Sequence, residues 1–125
     1  MEILLLLNSL ALALVVINSL TIRVVKNEKT IVSNSVSILI PMRNEQANVE
    51  GCLSSVIGQI GLENFEVIAL DDHSKDATKS LISTFPVVKI IAGTNPPEKW
   101  LGKLWACQQL AEASTGEYLV FLDAD

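Results

Sequence analysis

Residues 3–22 (ILLLLNSLALALVVINSLTI) carry no charged side chain, and fifteen of the twenty are Leu, Ile, Val or Ala. A helix rising about 1.5 Å per residue would carry this run across roughly 30 Å, the thickness of a bilayer's hydrocarbon core. Its apolar residues select no single face, as expected for a helix surrounded by lipid, and only Asn8, Ser9, Asn18 and Ser19 interrupt it appreciably. Two other readings compete with a membrane anchor. A cleaved signal peptide needs basic residues ahead and a small-residue cleavage site behind; here Glu2 precedes the run and no Ala-x-Ala follows. A buried core helix would be shorter and one-faced. The anchor, assigned to residues 1–24, is the preferred reading. Arg23, Lys26 and Lys29 follow the span and nothing basic precedes it. The positive-inside rule then predicts a single-pass segment with the soluble part in the cytoplasm. Residues 25–35 read as a polar linker.

Composition narrows what the rest can be. Charged residues make up 18% and hydrophobic ones 50%, which excludes a disordered tail. Two distant cysteines, Cys52 and Cys107, exclude a disulfide scaffold and accord with a reducing compartment. One histidine, His73, leaves little room for a His-built zinc site. A net charge of -5 argues against a nucleic-acid partner.

From Val36 onward short apolar runs alternate with amphipathic stretches. Residues 36–41 (VSILIP) read as a buried strand from their β-branched content. Residues 46–58 place Val49, Cys52, Leu53, Val56 and Ile57 on one helical face. Strand 65–70 (FEVIAL) follows, then a helix over 76–85 capped by Ser74 or Asp76, then strand 87–91. A loop surrounds Pro96 and Pro97. A third helix shows one face at Leu104, Cys107, Ala111 and Ser114 and is expected to stop at Gly116, before strand 117–122 (EYLVFL). The strands lack polar alternation, which predicts burial on both faces and a mostly parallel, doubly wound, Rossmann-like α/β sheet. In such sheets ligands bind beyond the carboxyl ends of the strands.

Those ends carry distinctive residues. After the first strand stands Pro41-Met42-Arg43-Asn44-Glu45, where Pro41 is expected to stop pairing and Asn44 or Glu45 to feed the free N–H groups of the next helix. On these residues alone a turn with a cap is the simplest account. After the second comes Asp71-Asp72-His73-Ser74-Lys75-Asp76. Two adjacent acids repel if both are buried, so one should face solvent or a donor. A ribose hydroxyl or base N–H could supply that donor; a helix cap, or the acidic pair of a response-regulator phospho-acceptor, are the other readings. After the fourth comes Asp123-Ala124-Asp125. Hard carboxylate oxygens suit Mg²⁺ or Mn²⁺, which usually retain waters and take phosphate oxygens as well. A D-x-D arises often by chance, but much less often behind YLVFL with acids at a neighbouring strand end. Lys103 at a helix start opposes the helix dipole, a conflict that a bound phosphate would remove and a solvated lysine would tolerate. Trp100 and Trp105 read as core or lipid-facing aromatics.

Taken in order, SILIPMRNE, FEVIALDDHSKDAT and GEYLVFLDAD resemble the nucleotide-binding half of a family 2 glycosyltransferase with the GT-A fold. The resemblance covers residues 36–125. The stretch WLGKLWACQQLAEASTGEYLVFLDAD further resembles the branch associated with carotenoid and hopanoid glycosylation and with ceramide glucosyltransferases. It implies that Pro41 and Glu45 lie along the nucleotide, that Asp71 or Asp72 binds the base, and that Lys103 sits near the diphosphate. It further implies that Asp123 and Asp125 hold a divalent metal, Mg²⁺ or Mn²⁺, and touch the ribose. The implied reaction is inverting transfer from a UDP- or GDP-sugar donor to an acceptor of lipid or other apolar character. His73 departs from the family pattern, where Gly is usual, and Met42 stands where Ala or a polar residue is frequent. The family's acceptor half and catalytic base are expected beyond Asp125, so the 125 residues read as a truncated, inactive donor half. A nucleotidyltransferase-like domain and a non-catalytic membrane-anchored binding module are the alternatives. The former usually opens with a Gly-rich loop, and none follows Pro41.

Overall fold

The computed structural model describes residues 1–22 and 30–125. Arg23, Lys26 and Lys29, on which the expected orientation rests, lie outside the described residues, as does the first half of the expected linker.

Helix α1 (Glu2–Thr21) is 20 residues long and none of it is buried. By length and composition it can cross a membrane. Its hydroxyls are satisfied within the helix: Ser9 Oγ donates to the Leu5 carbonyl, Ser19 Oγ to Val16 and Thr21 Oγ1 to Ile17. Such local back-bonding lets a helix carry Ser and Thr in apolar surroundings without unpaired donors.

The remaining elements are β1 (Val36–Met42), α2 (Val49–Ile57), β2 (Phe65–Asp71), α3 (Thr78–Ile82), β3 (Val88–Ala92), α4 (Gly102–Ala113) and β4 (Tyr118–Phe121). The four strands form one parallel sheet in the order β3-β2-β1-β4. The period of two along each strand builds two cores. Ile38, Ile40, Met42, Val67 and Ala69 face α2 and α3, meeting Val49, Leu53, Val56 and Ile82. Leu39, Ile68 and Leu70 face the other way and are covered by Ala106 and Leu110 of α4. Each of these buried aliphatic side chains contributes about 1.5–3 kcal/mol relative to exposure. Ahead of β1, Val32 bridges to Leu62, so the end of the expected linker lies against the sheet domain.

Several expectations need correction. The first two helices are shorter than expected, because residues 46–48 and 83–84 form turns. The buried face of α4 is Ala106 and Leu110, with Leu104 58% exposed. Gly116 does not end α4, which closes at Ser114. Gly116 instead passes so near β1 that an added Cβ would stand 2.5 Å from the Ser37 nitrogen. Strand β4 is exposed along its whole length rather than buried on both faces. Trp100 and Trp105 make an edge-to-face pair 5.4 Å apart, with Trp105 Nε1 donating to Thr94 Oγ1.

Candidate functional site

The chain crosses from one side of β1 to the other between β3 and β4, so the sheet has a topological switch at β1. A crevice at the carboxyl ends is expected there. Its opening is set by Pro41. Even-numbered residues of β1 bond toward β2, as Val36 N to the Asn64 carbonyl and Met42 O from Asp72 N. Odd-numbered ones bond toward β4, as the Ser35 carbonyl from Tyr118 N and the Leu39 carbonyl from Leu122 N. Pro41 therefore turns its hydrogen-free nitrogen toward β4, just where that ladder has ended at Leu39 and Phe121. Pairing with β2 runs on through Pro41 to Met42 and Asp71. Pro41 thus limits pairing on one side only, and the sheet splits between β1 and β4.

The loops after β1 and β2 run side by side and hold each other through side-chain to backbone hydrogen bonds. Asn44 N donates to Ser74 Oγ at 3.0 Å, and Lys75 N to Asn44 Oδ1 at 2.8 Å. Glu45 N donates to Thr78 Oγ1 at 2.8 Å. Gln46 N donates to Asp76 Oδ2 and Ala77 N to Gln46 Oε1. The polar side chains expected as helix caps do this instead. Ser74 serves Asn44 rather than α3, and Glu45 supplies its carbonyl, not its carboxylate, to Val49 N. Only Asp76 reaches a helix start, accepting from Thr78 N and Oγ1. The Thr78 hydroxyl, with the backbone donors of Thr78 and Gln46, outweighs the opposing effect of desolvation and holds the Asp76 carboxyl below its usual range. Asn44 and His73 both have φ 56, a conformation that favours Gly or Asn.

Beyond these loops lies a cleft of about 380 Å³ between β1, the start of α4 and the segment after β4. Pro41, Met42, Ala106 and Ala124 line its apolar part. Its charged wall consists of Glu45, Asp72, Asp123 and Asp125 against Arg43 and Lys103. Four carboxylates face two cations, an excess of two negative charges. Lys103 Nζ lies 2.6 Å from Asp123 Oδ1, and Arg43 Nη1 lies 3.4 Å from Asp72 Oδ2. The hydrogen bond and charge of Asp123 hold the Lys103 ammonium above the ordinary lysine range. His73 Nδ1 also reaches Asp72, at 3.1 Å.

Of the residues singled out in the sequence, Pro41, Glu45, Asp72, Lys103, Asp123 and Asp125 meet in this cleft. Asp71 does not line it. It is 7% exposed and turns its carboxylate to Ser74 N. Arg43 was not singled out, although it stands in the strand-end run beside Pro41; its role depends on a pairing with Asp72 that only the parallel register creates. No group of three His, Cys, Asp or Glu side chains among the described residues could enclose a metal ion. Neither thiol is activated: burial raises Cys107, with Lys103 opposing it, and burial together with Glu45 raises Cys52.

The family model described as Glycosyl transferase family 2 matches residues 37–125, nearly all of the sheet domain. The chain belongs to glycosyl transferase family 2. Within this family it is 32% identical over 94 residues to the 4,4'-diaponeurosporenoate glycosyltransferase of Staphylococcus haemolyticus (strain JCSC1435), covering 74% of this chain and 24% of that protein. It is also 32% identical over 91 residues to glycosyltransferase AglE of Haloferax volcanii, covering 72% of this chain and 30% of that one. Among solved structures, mannosyltransferase PcManGT from Pyrobaculum calidifontis, in complex with GDP-Man and Mn²⁺, superposes with a TM-score of 0.65 at 26% identity. That match covers 81% of this chain and 30% of PcManGT. The chain therefore spans between a quarter and a third of the length of these family 2 relatives, and its α/β architecture is the GT-A-like fold that they share.

Proposed function

We propose that residues 36–125 form the donor-binding half of a membrane-anchored glycosyltransferase that uses a nucleoside diphosphate sugar and a divalent metal. One observation carries this reading: Glu45, Asp72, Lys103, Asp123 and Asp125, spread over 81 residues of sequence, meet in one cleft at the topological switch. The GDP-Man and Mn²⁺ held by PcManGT, a structural relative at 26% identity, support the choice of ligands.

The donor set fits a hard divalent cation. Asp123 and Asp125 offer carboxylate oxygens, and the cleft's excess of two negative charges matches a dication. Mg²⁺ and Mn²⁺ commonly bind one or two carboxylates and complete their shell with water and phosphate, so a three-acid cage is not required. When bound, such a metal supplies charge neutralisation for a departing nucleoside diphosphate. In this reading Asp72, not Asp71, reaches the nucleoside, because Asp71 is committed to the turn. Pro41 and Glu45 flank the same path, and Lys103 meets the diphosphate. The clasped loops hold Glu45 and Asp72 in place before the donor arrives, reducing the ordering cost of binding.

The base that takes the acceptor proton in an inverting transfer is not assigned to any of these residues. Helix α1 supports an acceptor of lipid or other apolar character, delivered at the membrane. Relatives about two and a half to three times as long support a further acceptor-binding part, so transfer by these 125 residues alone is not expected. Calorimetry with GDP and with UDP, each with and without Mn²⁺, tests the donor site. Binding should depend on Mn²⁺, and Asp125→Ala should weaken it at least tenfold. Equal affinity with and without metal, or an unaffected Asp125→Ala protein, would refute the metal role.

A further inference from the structure

We propose that Lys103 is an exchangeable counter-ion, which neutralises Asp123 while the cleft is empty of donor and passes to the diphosphate when donor and metal enter. It thereby couples the two binding events. The inference rests on the donor-site reading above and adds a direction to it.

The geometry supplies the conflict that forces the exchange. The Lys103 ammonium sits 2.6 Å from Asp123 Oδ1, an oxygen that a metal would need at about 2.0–2.1 Å. A metal that takes that oxygen displaces the ammonium, and one that takes Oδ2 of the same carboxylate still stands close enough to repel it, so metal entry at Asp123 works against the Lys103 contact. Lys103 has somewhere to go. Its side chain is 66% exposed and borders the open cleft, and its flexible stem ends in three rotatable donors. Departure is unfavourable unless a new anion compensates, because Lys103 is the second residue of α4 and lies beside the positive end of the helix dipole. A diphosphate is such an anion; an incoming metal is the opposite.

The other cation of the cleft is not placed to do this. Arg43 meets Asp72 at the longer distance of 3.4 Å, and Asp72 is only 16% exposed and also held by His73. Asp72 further belongs to the loop pair that clasps itself. Asp123, 57% exposed and beyond the end of β4, has the freedom that exchange requires. The consequence is reciprocal. Metal alone must compete with Lys103, whereas diphosphate draws Lys103 away and bares Asp123. Each ligand therefore raises the affinity of the other by the same factor.

Titration of Mn²⁺ by electron paramagnetic resonance tests this on the full chain in detergent micelles, alone and with saturating GDP or UDP in separate series. Lys103→Met should bind Mn²⁺ alone about two- to fivefold more tightly than the unaltered chain, the scale of an exposed ion pair. With nucleotide present the two proteins should bind Mn²⁺ alike, so the nucleotide-induced gain shrinks by that same factor. Nucleotide itself should bind Lys103→Met roughly tenfold more weakly, having lost a charge-assisted contact. Lys103→Arg should restore the original pattern. Simple removal of a positive charge would raise Mn²⁺ affinity equally with and without nucleotide, and that result overturns the exchange. Unchanged or weaker Mn²⁺ binding by Lys103→Met, in a chain whose unaltered form binds both ligands, also overturns it and leaves the donor site standing. If the unaltered chain binds neither ligand, the donor-site reading and the exchange fall together.

Discussion

Replacing Gly116 by Ala adds one methyl group, yet the structure predicts a large loss of stability. The new Cβ would stand 2.5 Å from Ser37 N, 2.6 Å from Ser37 Oγ and 2.9 Å from the Val36 carbonyl carbon. Two of these three are backbone atoms of a central strand, which cannot swing aside as a side-chain tip would. Relief must come from moving the segment that joins α4 to β4. That movement breaks the bond from Gly116 N to Ser37 Oγ, at 2.8 Å, and strains the node where Glu66 accepts from Ser37 Oγ, Thr115 N and Thr115 Oγ1. The cost should lie at the upper end of overpacking, about 3 kcal/mol. Against a total of about 5–15 kcal/mol for an ordinary domain, that is a large fraction. At about 1–3 kcal/mol per molar urea, the midpoint should fall by about 1–3 M. Urea unfolding of the full chain in mild detergent, followed by fluorescence of Trp100 and Trp105, reads this directly. Gly51→Ala is the internal comparison. Gly51 lies inside α2 with nothing within 4 Å of the added Cβ, so that change should stabilise by roughly 0.5–1 kcal/mol. If both substitutions shift the midpoint equally, or Gly116→Ala leaves it in place, the close approach of the strand connection to β1 is wrong.

Other outcomes follow from the same contacts. Burial pushes the Glu66 carboxyl up, but hydrogen bonds from Ser37 and Thr115, with the charge of Lys89, outweigh it and leave the group below its ordinary 4.5. Its contribution is therefore present above pH 4.5 and lost as the pH falls through the lower folded value; Glu66→Gln should flatten that part of the acid stability profile. His73→Gly should stabilise by about 1 kcal/mol in thermal unfolding, since φ 56 strains the His side chain but suits glycine. Protease added outside sealed inside-out vesicles should remove the sheet domain, and protection there would contradict the cytoplasmic placement drawn from Arg23, Lys26 and Lys29.

Much of the architecture is legible in the chain because each strand combines β-branched residues with a sharp boundary, as in VSILIP and FEVIAL. The acidic strand ends were also readable, since a doubly wound sheet makes those positions the ones to inspect. Other features were not. Ala106 shares the buried face of α4 with Leu110 but has too little apolar surface to announce itself, while the larger Leu104 is exposed. Gly116 looks like a helix stop because a glycine required for close approach is spelled the same way as one required for a turn. The pairs Arg43–Asp72 and Lys103–Asp123 join residues 29 and 20 positions apart. No local pattern encodes them, since they exist only once β1 lies between β2 and β4. The choice of Asp72 over Asp71 likewise depends on the turn that captures Asp71 with Ser74.

The reciprocal bonds between the loops after β1 and β2 also determine how this surface can be rebuilt. Asn44 and Gln46 each give and receive across the gap, donating to Ser74 and Asp76 and accepting from the Lys75 and Ala77 backbones, while Glu45 N donates to Thr78 between them. Residues 43–48 and 72–78 consequently behave as one cassette. A graft that transplants either stretch alone would leave backbone donors without acceptors on both, whereas moving the two together carries their mutual recognition along. On the donor-site reading proposed above, donor preference should be transferable between relatives as a paired exchange of two short loops, with single-loop chimeras folding poorly whichever residues they carry.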